Sequence, residues 1–222
     1  MSAIQFNHLR NSNLKQFNPK NIKGMVFDMD GTLVLPITKY LAKMRAELKV
    51  PKDQRTLNYV ESLKCEDEKL AAYKKIKEIE DMAKASMELQ PGFKELFDYL
   101  DSRGILKGII TLNNSETVNH MLENVIPAGT NGRKVDFEHI LTREFGMIKP
   151  DPTPLLHIAE KWGLKPEEII MVGDSADDIE CGHNAGSLTI LLKNDVNQSH
   201  TEIANIAVSR LDHIIELFEY EV

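Results

Sequence analysis

The stretch MVFDMDGTLVLP, Met25 to Pro36, decides how this chain is read. A short apolar run ends in two aspartates two residues apart, and Gly-Thr follows at once. A carboxylate at the end of a buried strand is costly to desolvate unless a neighbour offsets the cost. In extended backbone, residues two apart face the same side, so Asp28 and Asp30 can address one point. Two like charges aimed at one point ask for a cation, a shared proton, or both.

Working outward, the run GMVFD (24–28) is the first of five strand-like segments. The others are KGIITL (107–112), FEHIL (137–141), IIMVG (169–173) and LTILL (188–192). VFD, IITL and IIMVG are nearly continuous apolar runs, as expected of parallel strands covered on both faces. Between them, GFKELFDYLDSRG (92–104) places Phe93, Leu96, Phe97 and Leu100 on one helical face and ends on Gly104. TPLLHIAEKWG (153–163) and DDIECGHNAG (177–186) also close on glycine, the usual residue just past a helix end. Strand and helix in alternation mean βαβ units, an α/β class and a parallel sheet.

Residues 37–90 break that alternation. They hold no strand and one long helical pattern, EDEKLAAYKKIKEIEDMAKASMEL, in which Leu70, Tyr73, Ile76, Ile79, Met82 and Ala83 keep helical spacing. The stripe, with Met82 and Met87, reads as helix packing rather than as a cofactor box. The predicted organisation is an N-terminal arm over 1–20, a core made of 21–36 and 91–222, and an inserted helical module over 37–90. The module carries a slight positive excess within a chain of net charge −7, which leans toward an anionic ligand beneath it.

The acidic balance argues against a general nucleic-acid-binding surface. No segment approaches the ~18 consecutive apolar residues of a membrane span. Cys65 and Cys181 are far apart and in no metal-ligand spacing, so they read as reduced, non-catalytic thiols of an intracellular protein. The first acidic residue is Asp28. The basic, acid-free arm before it reads as a surface segment rather than an organelle-targeting one, and the expected location is the cytoplasm, or the nucleus as well.

Four stations end predicted strands, where open α/β sheets bind ligands. They are Asp28-Met29-Asp30-Gly31-Thr32; Thr111 with Leu112, Asn113 and Asn114; Lys149 in GMIKPDP; and Asp174 in MVGDSADDIECG, with Asp178 four residues on. Several carboxylates, one lysine and one hydroxyl suit phosphoryl transfer to a carboxylate. Asp28 can attack phosphorus and form an aspartyl-phosphate. Nucleophile and phosphate repel each other, so a divalent cation is needed. Asp28 and Asp174, with the backbone carbonyl of Asp30, can ligate Mg²⁺. Lys149, Thr111 and nearby N–H groups, with Asn113 among them, would hold phosphate oxygens. Asp30 is placed to protonate the leaving oxygen and then to accept a proton from the hydrolytic water.

VFDMDGTL, the strand-end Thr111, Lys149-Pro-Asp-Pro and GDSADD, in this order and spacing, resemble the haloacid dehalogenase-like (HAD) hydrolase superfamily from Met25 to about Leu192. The resemblance implies a Rossmann-like doubly wound core, a mobile small α-helical cap and Mg²⁺-dependent chemistry. It places Asp28 as nucleophile, Asp30 as acid/base, Thr111 and Lys149 as phosphate binders, and Asp174 as metal ligand, with Asp178 beside the metal. Dehalogenating members lack the second aspartate, which phosphatases and phosphomutases have. Val34-Leu35-Pro36 after DGTL is similar to a small-cap branch of fungi and plants, in which Arg often stands where this chain has Leu112.

The expected activity is hydrolysis of small phosphorylated metabolites. A sugar phosphomutase and a catalytically silent phosphometabolite- or partner-binding protein are the alternatives. Arg45, Arg55 and Tyr59 in the helical module are candidate substrate contacts. The seven histidines are scattered without HxH or HExxH spacing and read as surface or packing residues. Ser175 reads as a helix cap, and Trp162 as core or rim.

Overall fold

The computed structural model describes residues 4–6 and 18–219, the side chains of 4–6 and of Thr38 excepted. They fall into two units, Met1–Leu35 with Glu88–Val222, and Pro36–Met87.

The first unit is a seven-stranded sheet in the order β1-β7-β6-β5-β2-β3-β4. The strands are β1 Ile4–Phe6, β2 Gly24–Phe27, β3 Leu106–Ile110, β4 His139–Leu141, β5 Ile169–Gly173, β6 Leu188–Leu192 and β7 Ile206–Val208. Six are parallel, and β1 closes one edge antiparallel to β7. From β2 the chain moves outward through β3 and β4, then returns to the other side of β2 for β5, β6 and β7. The order therefore reverses between β2 and β5, and the crevice at their C-terminal ends is where such a sheet binds ligands.

All four residues of β2 and all five of β5 are buried, which accounts for their unbroken apolar sequence. Two glycines in this sheet have a packing reason. A Cβ on Gly24 would lie 2.6 Å from the ring of Trp162, and one on Gly108 would lie 3.2 Å from it. The indole lies across β2 and β3, and Trp162 is partly buried at the rim of the core.

Helices α1 to α3 form the second unit and are given below. In the first unit α4 is Phe93–Arg103, α5 Ser115–His120, α6 Ile126–Gly129, α7 Thr153–Trp162, α8 Ala176–Ala185 and α9 Ile215–Glu219. Helix α4 buries Phe93, Leu96, Phe97 and Leu100, the face read from the sequence, and ends on Gly104 at φ 63°. Phe97 stacks on Phe93 at 4.2 Å and meets Phe27 at 5.2 Å, contacts worth about 0.5–1.5 kcal/mol each beyond area burial. Helices α7 and α8 likewise stop at left-handed Gly163 and Gly186.

Two strands depart from the sequence reading. Within the expected arm, Ile4–Phe6 pairs with Ile206–Val208, and neither segment reads as a strand by itself. At three residues each, they are held by pairing across the edge rather than by their own pattern. The rest of the arm reading lies outside the described residues up to Pro19–Asn21, a short 3₁₀ turn.

The second unit contains α1 Thr38–Glu47, α2 Thr56–Ser62 and α3 Glu66–Ala85. Its core is Met44, Val60, Ala72, Ile76 and Ile79, with Tyr40, Leu48, Tyr59 and Leu63 packed around it. The predicted stripe on α3 is only partly right. Ile76, Ile79 and Ala83 are buried, but the inward line runs through Ala72, while Leu70, Tyr73 and Met82 are exposed. Two short helices cover one face of a 20-residue helix, so its flanking apolar residues stay outside that core. The unit ends at Met87 rather than at residue 90. Leu35 N–H donates to Glu88 O and Gln90 N–H to Leu33 O, which ties residues 88–90 to the core segment 33–35. No helix among the described residues is long and apolar enough to cross a membrane.

Candidate active site

Strand β2 ends at Phe27, and the N–H of Asp28 still donates to Val172 O of β5, so Asp28 leaves the sheet at the switch point. The next residues form a tight loop. Met29 O accepts from the N–H groups of Thr32, Leu33 and Val34, while Gly31 N–H donates to Val34 O. Gly31 sits at φ 87°, and a Cβ there would come within 2.3 Å of Asp174 Oδ2. Glycine is therefore needed twice over, for the backbone turn and for the approach of the β5 carboxylate. The side chain of Gln90 donates to Gly31 O at 2.7 Å and pins the loop from below.

Strand β3 supplies Thr111, whose N–H donates to Leu141 O. Its Oγ1 accepts from both the backbone N–H and the side-chain amide of Asn113, at 3.1 and 3.2 Å. With two lone pairs taken, what the hydroxyl has left to offer is its hydrogen, a donor suited to an anion. Asn113, expected as a phosphate contact, acts through Thr111 in this arrangement. Asn114 caps α5 by accepting from Thr117 N–H.

Lys149 is buried and bridges two carboxylates. Its Nζ lies 2.5 Å from Asp28 Oδ1 and 2.5 Å from Asp178 Oδ1, and donates to Ile110 O at 2.9 Å. Asp178, in the first turn of α8, is fixed in turn by Ser175. The Ser175 N–H and Oγ both donate to Asp178 Oδ2, at 3.0 and 2.6 Å, while Asp178 N–H donates back to Ser175 Oγ. Ser175 is thus the cap read from the sequence, and it also orients a site carboxylate. Asp177 is exposed at the helix start, as expected.

Asp28, Asp174 and Asp178 each bring a carboxylate oxygen within 4.8 Å of the others. Burial pushes the pKa of Asp28 up to about 7; Lys149 opposes the rise and Asp178 adds to it. Burial also raises Asp174 to about 7, reinforced by Asp178 and by half-buried Asp30. Burial alone would lower the pKa of Lys149, but Asp178 and Asp28 outweigh it and raise it, so the lysine stays cationic. Three clustered carboxylates facing one lysine form a hard, all-oxygen donor set with excess negative charge, which fits Mg²⁺.

These shifts give a stability prediction. The folded chain holds protons on Asp28 and Asp174 that the unfolded chain releases from about pH 4 upward. Metal-free stability therefore falls as pH rises from about 4 through about 7. Melting curves in EDTA should show Tm dropping by several degrees over that window. Saturating Mg²⁺ near neutrality should raise Tm, by about 2.7 kcal/mol of linkage at a hundred times Kd.

The structure thus brings together Asp28, Lys149, Asp174 and Asp178; Asp30 lies close enough to raise the pKa of Asp174, and Thr111 follows Ile110, whose carbonyl accepts from Lys149. The side chains of Arg45 and Tyr59 are used inside the helical unit instead. Arg45 donates to Gln54 O and Pro51 O at 2.8 and 2.6 Å, closing the loop after α1, and Tyr59 packs on that unit's core. Arg55 is exposed at the start of α2. Sequence reasoning missed Asn194 and Asn197. The Asn194 amide donates to Asp174 Oδ2 at 3.0 Å, and Asn197 donates to Asp174 O at 2.7 Å. Both follow LTILL, so the strand-end rule that found Asp28, Thr111 and Asp174 applies here too. Lys149, expected at a strand end, instead stands in a turn after the 3₁₀ segment Arg143–Phe145 that follows β4.

The family model for haloacid dehalogenase-like hydrolases matches residues 25–192. An uncharacterized hydrolase of Saccharomyces cerevisiae is 41% identical over 90% of this chain and 92% of its own length. A haloacid dehalogenase-like hydrolase domain-containing protein of Arabidopsis thaliana is 36% identical over 82% of this chain and 75% of its own. A crystal structure described as a predicted phosphoglycolate phosphatase from Haemophilus somnus superposes with TM-score 0.68 at 19% identity. It covers 89% of this chain and 98% of that one, a likeness of fold.

Proposed function

The chain belongs to the haloacid dehalogenase-like hydrolase family, and on that premise we propose that it is a Mg²⁺-dependent phosphatase of small phosphorylated metabolites working through an aspartyl-phosphate on Asp28. The observation that carries this reading is the buried Lys149 bridge to Asp28 at the switch point, with Asp30 two residues further on. Lys149 holds one carboxylate oxygen of Asp28, which orients the side chain and leaves the other oxygen to meet phosphorus.

In the first half-reaction an Asp28 oxygen forms a bond to phosphorus as the bond to the leaving oxygen breaks. Asp30 gives its proton to that oxygen, and the dephosphorylated alcohol departs. In the second half-reaction water attacks the phosphorus of the aspartyl-phosphate. Asp30 takes the proton, and inorganic phosphate leaves with Asp28 restored. The Thr111 hydroxyl donates to the phosphoryl oxygens as charge builds on them, and the Lys149 ammonium, its three hydrogens held by Asp28, Asp178 and Ile110 O, supplies positive charge beside them. Mg²⁺ held by Asp28 and Asp174, with the Asp30 carbonyl and Asp178 beside it, would neutralise the facing anions and keep Asp28 ionised at neutral pH. Of the three cap candidates, Arg55 is the one to test for a substrate contact, since Arg45 and Tyr59 serve the helical unit itself. The intact set of Asp28, Asp30, Thr111, Lys149 and Asp174 favours an active enzyme over a silent binder.

Asp30→Asn tests the proton roles. Nitrophenolate leaves without protonation, so this variant should still release one equivalent of nitrophenol per enzyme from an aryl phosphate. Steady turnover should fall by about 10²–10⁴-fold. Alkyl phosphates should give no burst. Rapid-quench kinetics checks this; undiminished steady turnover of alkyl phosphates would remove Asp30 from the mechanism.

A further inference from the structure

The loop that follows β6 is built around the backbone and side chain of Asp174. Asn194 donates its amide to Asp174 Oδ2 at 3.0 Å. Asn197, nearly fully buried, donates to both Asp174 O and Leu192 O, at 2.7 and 2.9 Å. The two asparagines also lock each other. Asn197 Oδ1 accepts from Asn194 N–H at 2.8 Å, and Asn194 Oδ1 accepts from the N–H groups of Val196 and Asn197 at 3.0 Å each. The amide oxygen of Asn194 thus forms the turn, while its NH₂ faces the site. A neutral donor on one oxygen of a carboxylate fixes the rotation of the group and directs the other oxygen elsewhere. It does so without adding a charge to a cluster that already holds three acids.

We propose that Asn194 is a positioning residue for the divalent-cation site. It holds Asp174 so that one oxygen faces the ion, and Asn197 braces the loop that presents it. This rests on the hydrolase reading above and adds a residue to that site. Groups that orient metal ligands act on metal affinity, and their loss weakens it by about 10–100-fold.

The test must separate the NH₂ from the turn. Asn194→Ser keeps a short side-chain acceptor for the turn, yet its hydroxyl is too short to reach Asp174; Asn194→Ala removes both functions. Mg²⁺ binding is read by isothermal titration calorimetry, and the half-saturating Mg²⁺ and the KM for an aryl phosphate are read from turnover. The expected result for Asn194→Ser is about ten-fold or more weaker Mg²⁺ binding with a matching rise in half-saturating Mg²⁺. Its KM at saturating Mg²⁺ should stay near that of the wild type, and its metal-free Tm should fall less than that of Asn194→Ala. Wild-type Mg²⁺ affinity in Asn194→Ser overturns the inference and leaves the hydrolase reading standing. A wild-type chain that takes up no Mg²⁺ and releases no phosphate overturns both.

Discussion

Asp28→Asn should lose phosphatase turnover by at least about 10⁴-fold while folding as well as the wild type. Asparagine keeps the shape of the side chain, but its amide oxygen is no anionic nucleophile and no aspartyl-phosphate can form. The variant differs from a generic core lesion in the sign of its stability change. Asp28 is a buried carboxylate whose pKa is pushed up to about 7, so near neutrality the fold carries it at a cost, even beside Lys149. Removing its charge leaves Lys149 paired with Asp178 at 2.5 Å and lowers the excess negative charge of the cluster. Metal-free Tm near neutral pH should therefore hold or rise. Phosphate release with Mg²⁺ and with EDTA, alongside melting curves in EDTA, checks both halves. Dead and unfolded would mean that Asp28 is structural; stable yet active on a panel of metabolite phosphates would move the nucleophile elsewhere.

The strand-end carboxylates were legible in the sequence because they violate a general expectation. An apolar run that stops on Asp demands a compensating partner, and the run itself announces a buried strand. The same logic located Thr111 and Asp174, and Ser175-x-x-Asp178 announced its own capping geometry, whereas Lys149 ends no strand: it stands in a turn beyond Arg143–Phe145, well past β4. Legibility failed where structure depends on partners distant in the chain. Ile206–Val208 is too short to show a period and becomes a strand through β6 on one side and β1 on the other. The exposure of Leu70 and Met82 depends on how short α1 and α2 are, which the α3 pattern does not contain. Arg45 looked like a candidate ligand contact because a cation in a helical module is ambiguous; two loop carbonyls claim it. Asn194 and Asn197 went unread because asparagine after a strand is ordinary turn chemistry. Only the position of Asp174 gives them a second role.

Lys149→Met should produce the largest loss of stability. Lys149 is 4% exposed and stands between Asp28 and Asp178, and methionine replaces its stem while removing the charge. Removing one partner from a buried ionic cluster leaves uncompensated charge and costs about 3–5 kcal/mol. For a chain of this size each kcal/mol moves Tm by about 2–4 °C, so the loss should reach about 10 °C in EDTA near neutral pH. The pH dependence identifies the cause. Lys149 lowers the pKa of Asp28, so without it the folded carboxylates bind protons still more tightly than the unfolded chain does. A folded pKa raised further above the unfolded value means stability that is retained below about pH 4 and lost as pH rises through neutrality. The gap between variant and wild type should therefore widen from acid to neutral pH, and saturating Mg²⁺ should narrow it by supplying positive charge to the same oxygens. A pH-independent deficit would mean that the lysine stem matters for packing alone. A deficit that widens with pH and shrinks with Mg²⁺ would show that the cation makes this cluster of acids tolerable, and that the same residue which poises the nucleophile keeps the switch point folded.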